Sequence, residues 1–173
     1  MKFKPISPSR LRTYSLKTRK SKVSVHDFAV PVRQGKSFND FLNSLPNILA
    51  VKNLKEVAAA VVKAHSSNRT VAVGIGAHVI KVGLSPVIID LMEMGIINAV
   101  AMNGACIVHD FEIAYAGMTS EDVDAEIGKG EFGMAKETGE LLNSAIKKGV
   151  KRGWGIGKSV GEMINKSKYP YKE

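Results

Sequence analysis

The chain has 173 residues, 45% hydrophobic and 24% charged, which is about one domain with enough apolar material for a packed core. Its longest strictly apolar run, Val57 to Val62, is far short of the ~18 residues that a membrane-spanning helix needs, so no membrane partner is expected. A lone cysteine, Cys106, can form neither an internal disulfide nor a thiolate metal cluster, and a reducing, cytoplasmic setting is expected.

The formal net charge of +9 is unevenly spread. Residues 1–22 carry eight basic side chains and no acid, and residues 147–173 carry eight more against Glu162 and Glu173. Between them the chain is net acidic. The basic ends hold few interleaved aromatics (Phe3, Tyr14, Trp154, Tyr169 and Tyr171), so specific nucleic-acid binding is not expected. Pro5 and Pro8 break any amphipathic helix in the first segment, which reads as an extended arm rather than a transit peptide.

Proline and glycine punctuate residues 1–36, a basic arm with one short strand expected at Val23 to Val25. Ser37 is placed to cap a helix through Phe38, Phe41 and Leu42 that ends before Pro46. Leu54, Val57, Ala58, Val61 and Val62 recur at three- and four-residue spacing, predicting a helix over about Lys52 to His65. The β-branched run from Arg69 to Gly74 predicts a buried strand. Ser85 and Pro86 form an N-cap and first-turn pair for a helix that stops at Gly95. A second strand is predicted over Ile96 to Met102, and a helix through Ala105, Val108, Glu112 and Tyr115 ending at Gly117.

An acid-fronted helix begins near Thr119, and another runs from Met134 to Ile146, closed by Lys147, Lys148 and Gly149 as a stop. Val160, Met163 and Ile164 mark a last short helix. Alternating strands and helices predict a three-layer α/β fold with a mostly parallel sheet flanked by helices. The expected organisation is the arm over 1–36, an α/β nucleotide-binding domain over 37–150 and a glycine-rich basic segment over 151–173.

In open parallel sheets, ligands bind beyond the carboxyl ends of the strands, where loop amides and helix N-termini converge. Two loops qualify, Gly74 to His78 and Asn103 to His109. If their strands are neighbours, Gly74, Gly76, His78, Asn103, Gly104, His109 and Asp110 approach one crevice. The glycines would admit a phosphate to the backbone, and His78, Asn103 and Asp110 would bond ribose or base. Gly74 and Gly76 lack the third glycine of the dinucleotide fingerprint, whose place is taken by Val79. Gly157-Lys158-Ser159 mimics the end of a P-loop, but Arg152 stands where that pattern needs glycine. His109 and Glu112 share a helix face at metal-ligand spacing without a second paired motif, so no metal is expected. Cys106 reads as a small buried hydrophobe, and Glu121, Asp122, Asp124 and Glu126 as a solvated face.

Val73-Gly-Ile-Gly-Ala-His-Val-Ile-Lys-Val-Gly-Leu-Ser-Pro-Val-Ile-Ile-Asp90, followed by Ala99-Val-Ala-Met-Asn-Gly-Ala-Cys-Ile-Val-His-Asp110, resembles the deoxyhypusine synthase-like group, chiefly its bacterial and archaeal members. The resemblance spans roughly residues 40–150. It implies a Rossmann-like domain that binds NAD and a homotetramer with sites at subunit interfaces. In the synthase, NAD takes hydride from spermidine and a lysine receives the butylamine group as an imine. By position, Gly76-Ala77-His78 matches the family's nucleotide-contacting segment, Asn103-Gly104-Ala105 its small-residue loop, and His109-Asp110 its acidic pair. The family has Thr and Ser at the places of Ala77 and His78, and an acid at that of His109. Its members are about twice as long, so the resemblance implies that 151–173 begins a second half, where the imine-forming lysine would reside; the chain is then a fragment, a split gene product completed by a separate chain, or a shortened relative. The function expected is thus dinucleotide binding, with a polyamine or related amine as substrate class. The alternative is a non-catalytic assembly subunit whose basic ends hold an acidic partner.

Overall fold

The computed structural model describes residues 3–5 and 7–172. Lys2 and Glu173, counted with the charged ends, lie outside them. The chain divides into two compact units, residues 1–60 and 61–173, and one helix, α2 (Leu49–Ser66), runs across the division.

In the first unit, serine sets the local structure. Ser7, Ser15 and Ser24 each accept an N–H from the residue two positions on, and three 3-10 turns follow them at Pro8–Arg10, Leu16–Thr18 and Val25–Asp27. The strand expected at Val23 to Val25 does not form. Ser24 and Asp27 close a reciprocal capping box there, with the Ser24 N–H donating to Asp27 Oδ2 at 2.8 Å. The same device starts α1 (Phe38–Ser44): Ser37 Oγ accepts from the Asp40 N–H at 3.1 Å, and the Ser37 N–H donates to Asp40 Oδ2 at 2.9 Å. These Ser37 bonds hold the Asp40 carboxyl below the usual carboxylate range. The Val30 N–H donates to Ser44 O, and the Asn47 N–H to Asp27 O, each at 2.9 Å, so the chain leaving α1 is tied back to the preceding segment.

The second unit opens with β1 (Ala72–Ile75), α3 (His78–Lys81), α4 (Ser85–Glu93) and β2 (Ala99–Met102). The strands pair in parallel, Ala72 opposite Ala99 through Ile75 opposite Met102. Asn98 fixes the entry to both: its Oδ1 accepts the Val71 N–H at 2.9 Å, and its Nδ2 donates to Gly95 O at 3.1 Å. Four further helices follow, α5 (Gly104–Ala116), α6 (Val123–Glu126), α7 (Lys136–Val150) and α8 (Ile156–Lys166).

The expected three-layer, Rossmann-like fold with a mostly parallel sheet is therefore corrected. The structure is mostly helical, with two short strands among the described residues. The physical reason lies in the spacing of the apolar residues: beyond the two β-branched runs they recur at three and four, and they pack helix against helix. Phe111 and Ala114 of α5, Leu142 and Ala145 of α7, and Val160 and Ile164 of α8 form the buried cluster. Phe111 is 1% exposed, and burying a side chain of that size contributes roughly 1.5–3 kcal/mol. Tyr169 packs edge-on against both Phe111 and Tyr115, with ring centroids 5.9 and 5.2 Å away.

Two helix ends also differ from expectation. The N-cap of α4 is Leu84, with no side-chain cap, and Ser85 falls inside the first turn with its Oγ buried and unpartnered. Gly149 does not stop α7, which continues to Val150, because α8 packs against it there. Gly117 does end α5, in the left-handed conformation (φ 73°) that only glycine adopts freely.

Candidate functional site

Parallel pairing without offset means that β1 and β2 finish side by side, at Ile75 and Met102. Gly76-Ala77-His78 and Asn103-Gly104-Ala105 therefore leave the same edge of the sheet. Cys106 ties the two turns together from below. Its side chain is fully buried, with Sγ 3.7 Å from Ile75 O and 3.4 Å from Asn103 Oδ1. This agrees with a structural rather than nucleophilic thiol.

Asn103 is the N-cap of α5, its Oδ1 accepting the Cys106 N–H at 3.3 Å. The cap uses one of the orphan donors of the helix and leaves others. Among the described residues, the N–H groups of Gly104 and Ala105, and of Ala77 and His78 across the edge, have no backbone or side-chain acceptor. A side-chain carbon built onto Gly74, Gly76 or Gly104 would meet nothing, so the space over these backbones is open. His78 is exposed at the start of α3. The edge thus presents amide donors at the positive end of a 13-residue helix, an arrangement that attracts an anion.

His109 and Asp110 lie more than a turn further along α5. Consecutive helix residues are about 100° apart, and these two line different hollows. Asp110 borders a cavity of about 530 Å³ with Ile80, Ser85, Pro86, Tyr171 and Lys172. Partial desolvation there pushes its carboxyl above the ordinary carboxylate range, although the side chain keeps an exposed surface. His109 borders a second hollow of about 400 Å³ with Lys81, Glu112, Phe132 and Thr138.

Beside that second hollow, a hydrogen-bonded chain joins two titratable groups. Thr119 donates its hydroxyl to Glu112 Oε2 at 2.5 Å and lies 2.6 Å from His109 Nδ1. The threonine has one hydroxyl proton, so the Nδ1–H of His109 is the donor to Oγ1 and its Nε2 is left for other work. Thr138 donates to Glu112 Oε1 at 3.1 Å. The His109–Glu112 pair expected on one helix face is thus bridged by a threonine. No group of three or more His, Cys, Asp or Glu side chains gathers to hold a metal among the described residues.

Gly76, Ala77, His78, Asn103, Gly104 and Ala105 are brought to one edge; Gly74 lies inside β1 opposite Ala101, short of that edge, and His109 and Asp110 line different hollows. Sequence reasoning missed Thr119 and Thr138, which lie ten residues from His109 and 26 from Glu112. No periodic pattern marks partners so far apart. In comparisons with protein families, curated proteins and solved structures, nothing matches this chain.

Proposed function

We propose that the shared edge of β1 and β2 binds an NAD-like dinucleotide, in a self-associating protein of the deoxyhypusine synthase-like kind acting on an amine. The observation that carries this reading is the unshifted parallel register, which sets the Gly76 and Asn103 turns side by side. Unpartnered N–H groups at Ala77, His78, Gly104 and Ala105 suit a pyrophosphate, and the open space over Gly74, Gly76 and Gly104 suits its close approach. His78, exposed beside them, suits a ribose hydroxyl. When bound, such a dinucleotide supplies a hydride acceptor, and the chain's own part is to hold and orient it. Asp110, whose ionised form is disfavoured in its cavity, would gain from an ammonium partner, which fits an amine substrate.

Calorimetric titration with NAD, paired with thermal unfolding, tests the reading. Saturable heat and an upward shift of the melting temperature support it, and their absence in a folded sample removes it.

A second reading, a non-catalytic assembly subunit, is favoured by apolar side chains left on the surface. Leu54, Val57 and Val62 of α2 are 54%, 61% and 64% exposed, and Val87, Met92 and Met94 around α4 are 54%, 47% and 58% exposed. Deletion of residues 1–22 discriminates: loss of assembly with ligand binding intact favours the assembly subunit.

A further inference from the structure

The one tryptophan of the chain, Trp154, sits in the turn between α7 and α8 with three cations around its ring. Arg152 Cζ is 5.0 Å, Lys158 Nζ 4.9 Å and Lys166 Nζ 6.0 Å from the centroid. Like charges are expensive to gather. Here the negative face of the indole and one carboxylate, Glu162, offset part of their repulsion. Glu162 pairs with Lys166 at 2.6 Å, and Lys166, Lys158 and Arg152 together hold its carboxyl below the ordinary range. The cations still outnumber it.

Trp154, Arg152 and Lys166 border a cavity of about 280 Å³ whose wall includes Ser144 and Lys148. Those two residues also border an open groove of about 1100 Å³ along α7, together with Lys136, Lys147 and Lys151. Helical spacing explains the continuity. Residues 140, 144, 147, 148 and 151 recur at three and four and share one side of α7. Glu140 is the carboxylate bordering the groove. One cationic track therefore leads along a helix to a half-buried aromatic ring.

We propose that this track binds single-stranded nucleic acid independently of its sequence. The lysines of α7 take successive phosphates, and Trp154 offers a face on which an unpaired base stacks once Arg152 or Lys158 turns from the ring to a phosphate. A row of cations alone would fit any polyanion. The aromatic at its end selects for a ligand with a flat, accessible π-face, which an acidic peptide lacks and a duplex hides in its stack.

Because Trp154 is the sole tryptophan, its emission reports on this place alone. The full chain is titrated with a homopyrimidine oligonucleotide of about a dozen nucleotides, long enough to follow the track. Emission is expected to be quenched, and with about four phosphates neutralised the affinity should fall with salt at a log–log slope near −3. Arg152→Ala with Lys158→Ala, followed by anisotropy of a labelled oligonucleotide, should weaken binding tenfold or more. Lys147→Gln with Lys151→Gln, both on exposed side chains, does the same if the first pair of changes disturbs folding. Polyglutamate of equal length that quenches Trp154 and binds as tightly would overturn the proposal in favour of an acidic protein partner. Oligonucleotide binding unchanged by both variants would overturn it too, by assigning the affinity to the basic arm at residues 1–22.

Discussion

Gly149 of α7 lies so close to Ser159 of α8 that a side-chain carbon added to it would overlap Ser159 Oγ and Cβ. Ser159 is itself buried, its hydroxyl donating to Gly155 O at 2.8 Å, so moving its side chain aside would break that bond. The α7–α8 pair, which supplies four of the six buried cluster residues, closes through this contact.

Gly149→Ala should therefore destabilise the protein by about 1–3 kcal/mol, despite alanine's better helix propensity. Adding Ser159→Gly to it should recover part of the loss. The midpoint of urea unfolding for the three proteins checks both expectations.

Asn103 separates stability from ligand binding. Asn103→Ala removes the α5 cap and should cost about 1 kcal/mol. Asn103→Asp keeps a cap of comparable quality and adds negative charge where a pyrophosphate is proposed. Its unfolding midpoint should stay near that of the parent protein while NAD binding weakens by tenfold or more, read by calorimetry.

The helices were the legible part of this chain. Ser37, the three- and four-residue spacing of Leu54 to Val62, and Gly117 each carry a local rule that the structure obeys. Strand number and layering were not legible, because alternation of two β-branched runs with helices is compatible with a large sheet or a pair of strands. The deciding cluster, which gathers Phe111, Leu142 and Val160, joins segments far apart in sequence. Gly149 shows the same limit. A glycine after two lysines reads as a stop, and only the neighbouring helix reveals it as a packing requirement. At the site, each loop was readable from its glycines or its cap, whereas the divergence of His109 and Asp110 follows from which neighbours cover α5.

Asp110 gives a pH signature. Its carboxyl binds a proton more readily in the folded chain than in the unfolded one, so the folded state holds more protons just above the ordinary carboxylate value. This group's contribution to stability is thus greatest in acid and declines as pH rises through the folded value. Asp110→Asn should raise the melting temperature at pH 7 and lose that advantage as pH falls well below the ordinary aspartate value of about 3.9, where the parent carboxyl is protonated in both states. Melts of the two proteins across that range check it.

Thr119→Val breaks the bridge between His109 and Glu112. The loss should be about 1 kcal/mol, since both side chains retain some solvent contact. Nitrogen-15 spectra of the His109 ring should show the proton fixed on Nδ1 in the parent protein and shared between both nitrogens in the variant.

The central claim is tested most directly by following backbone amide resonances while NAD is added to the full chain. The account expects the largest, saturable shifts at Ala77, His78, Gly104 and Ala105, with smaller ones at Gly76. Shifts confined to other parts of the chain, or none at millimolar NAD, would contradict it.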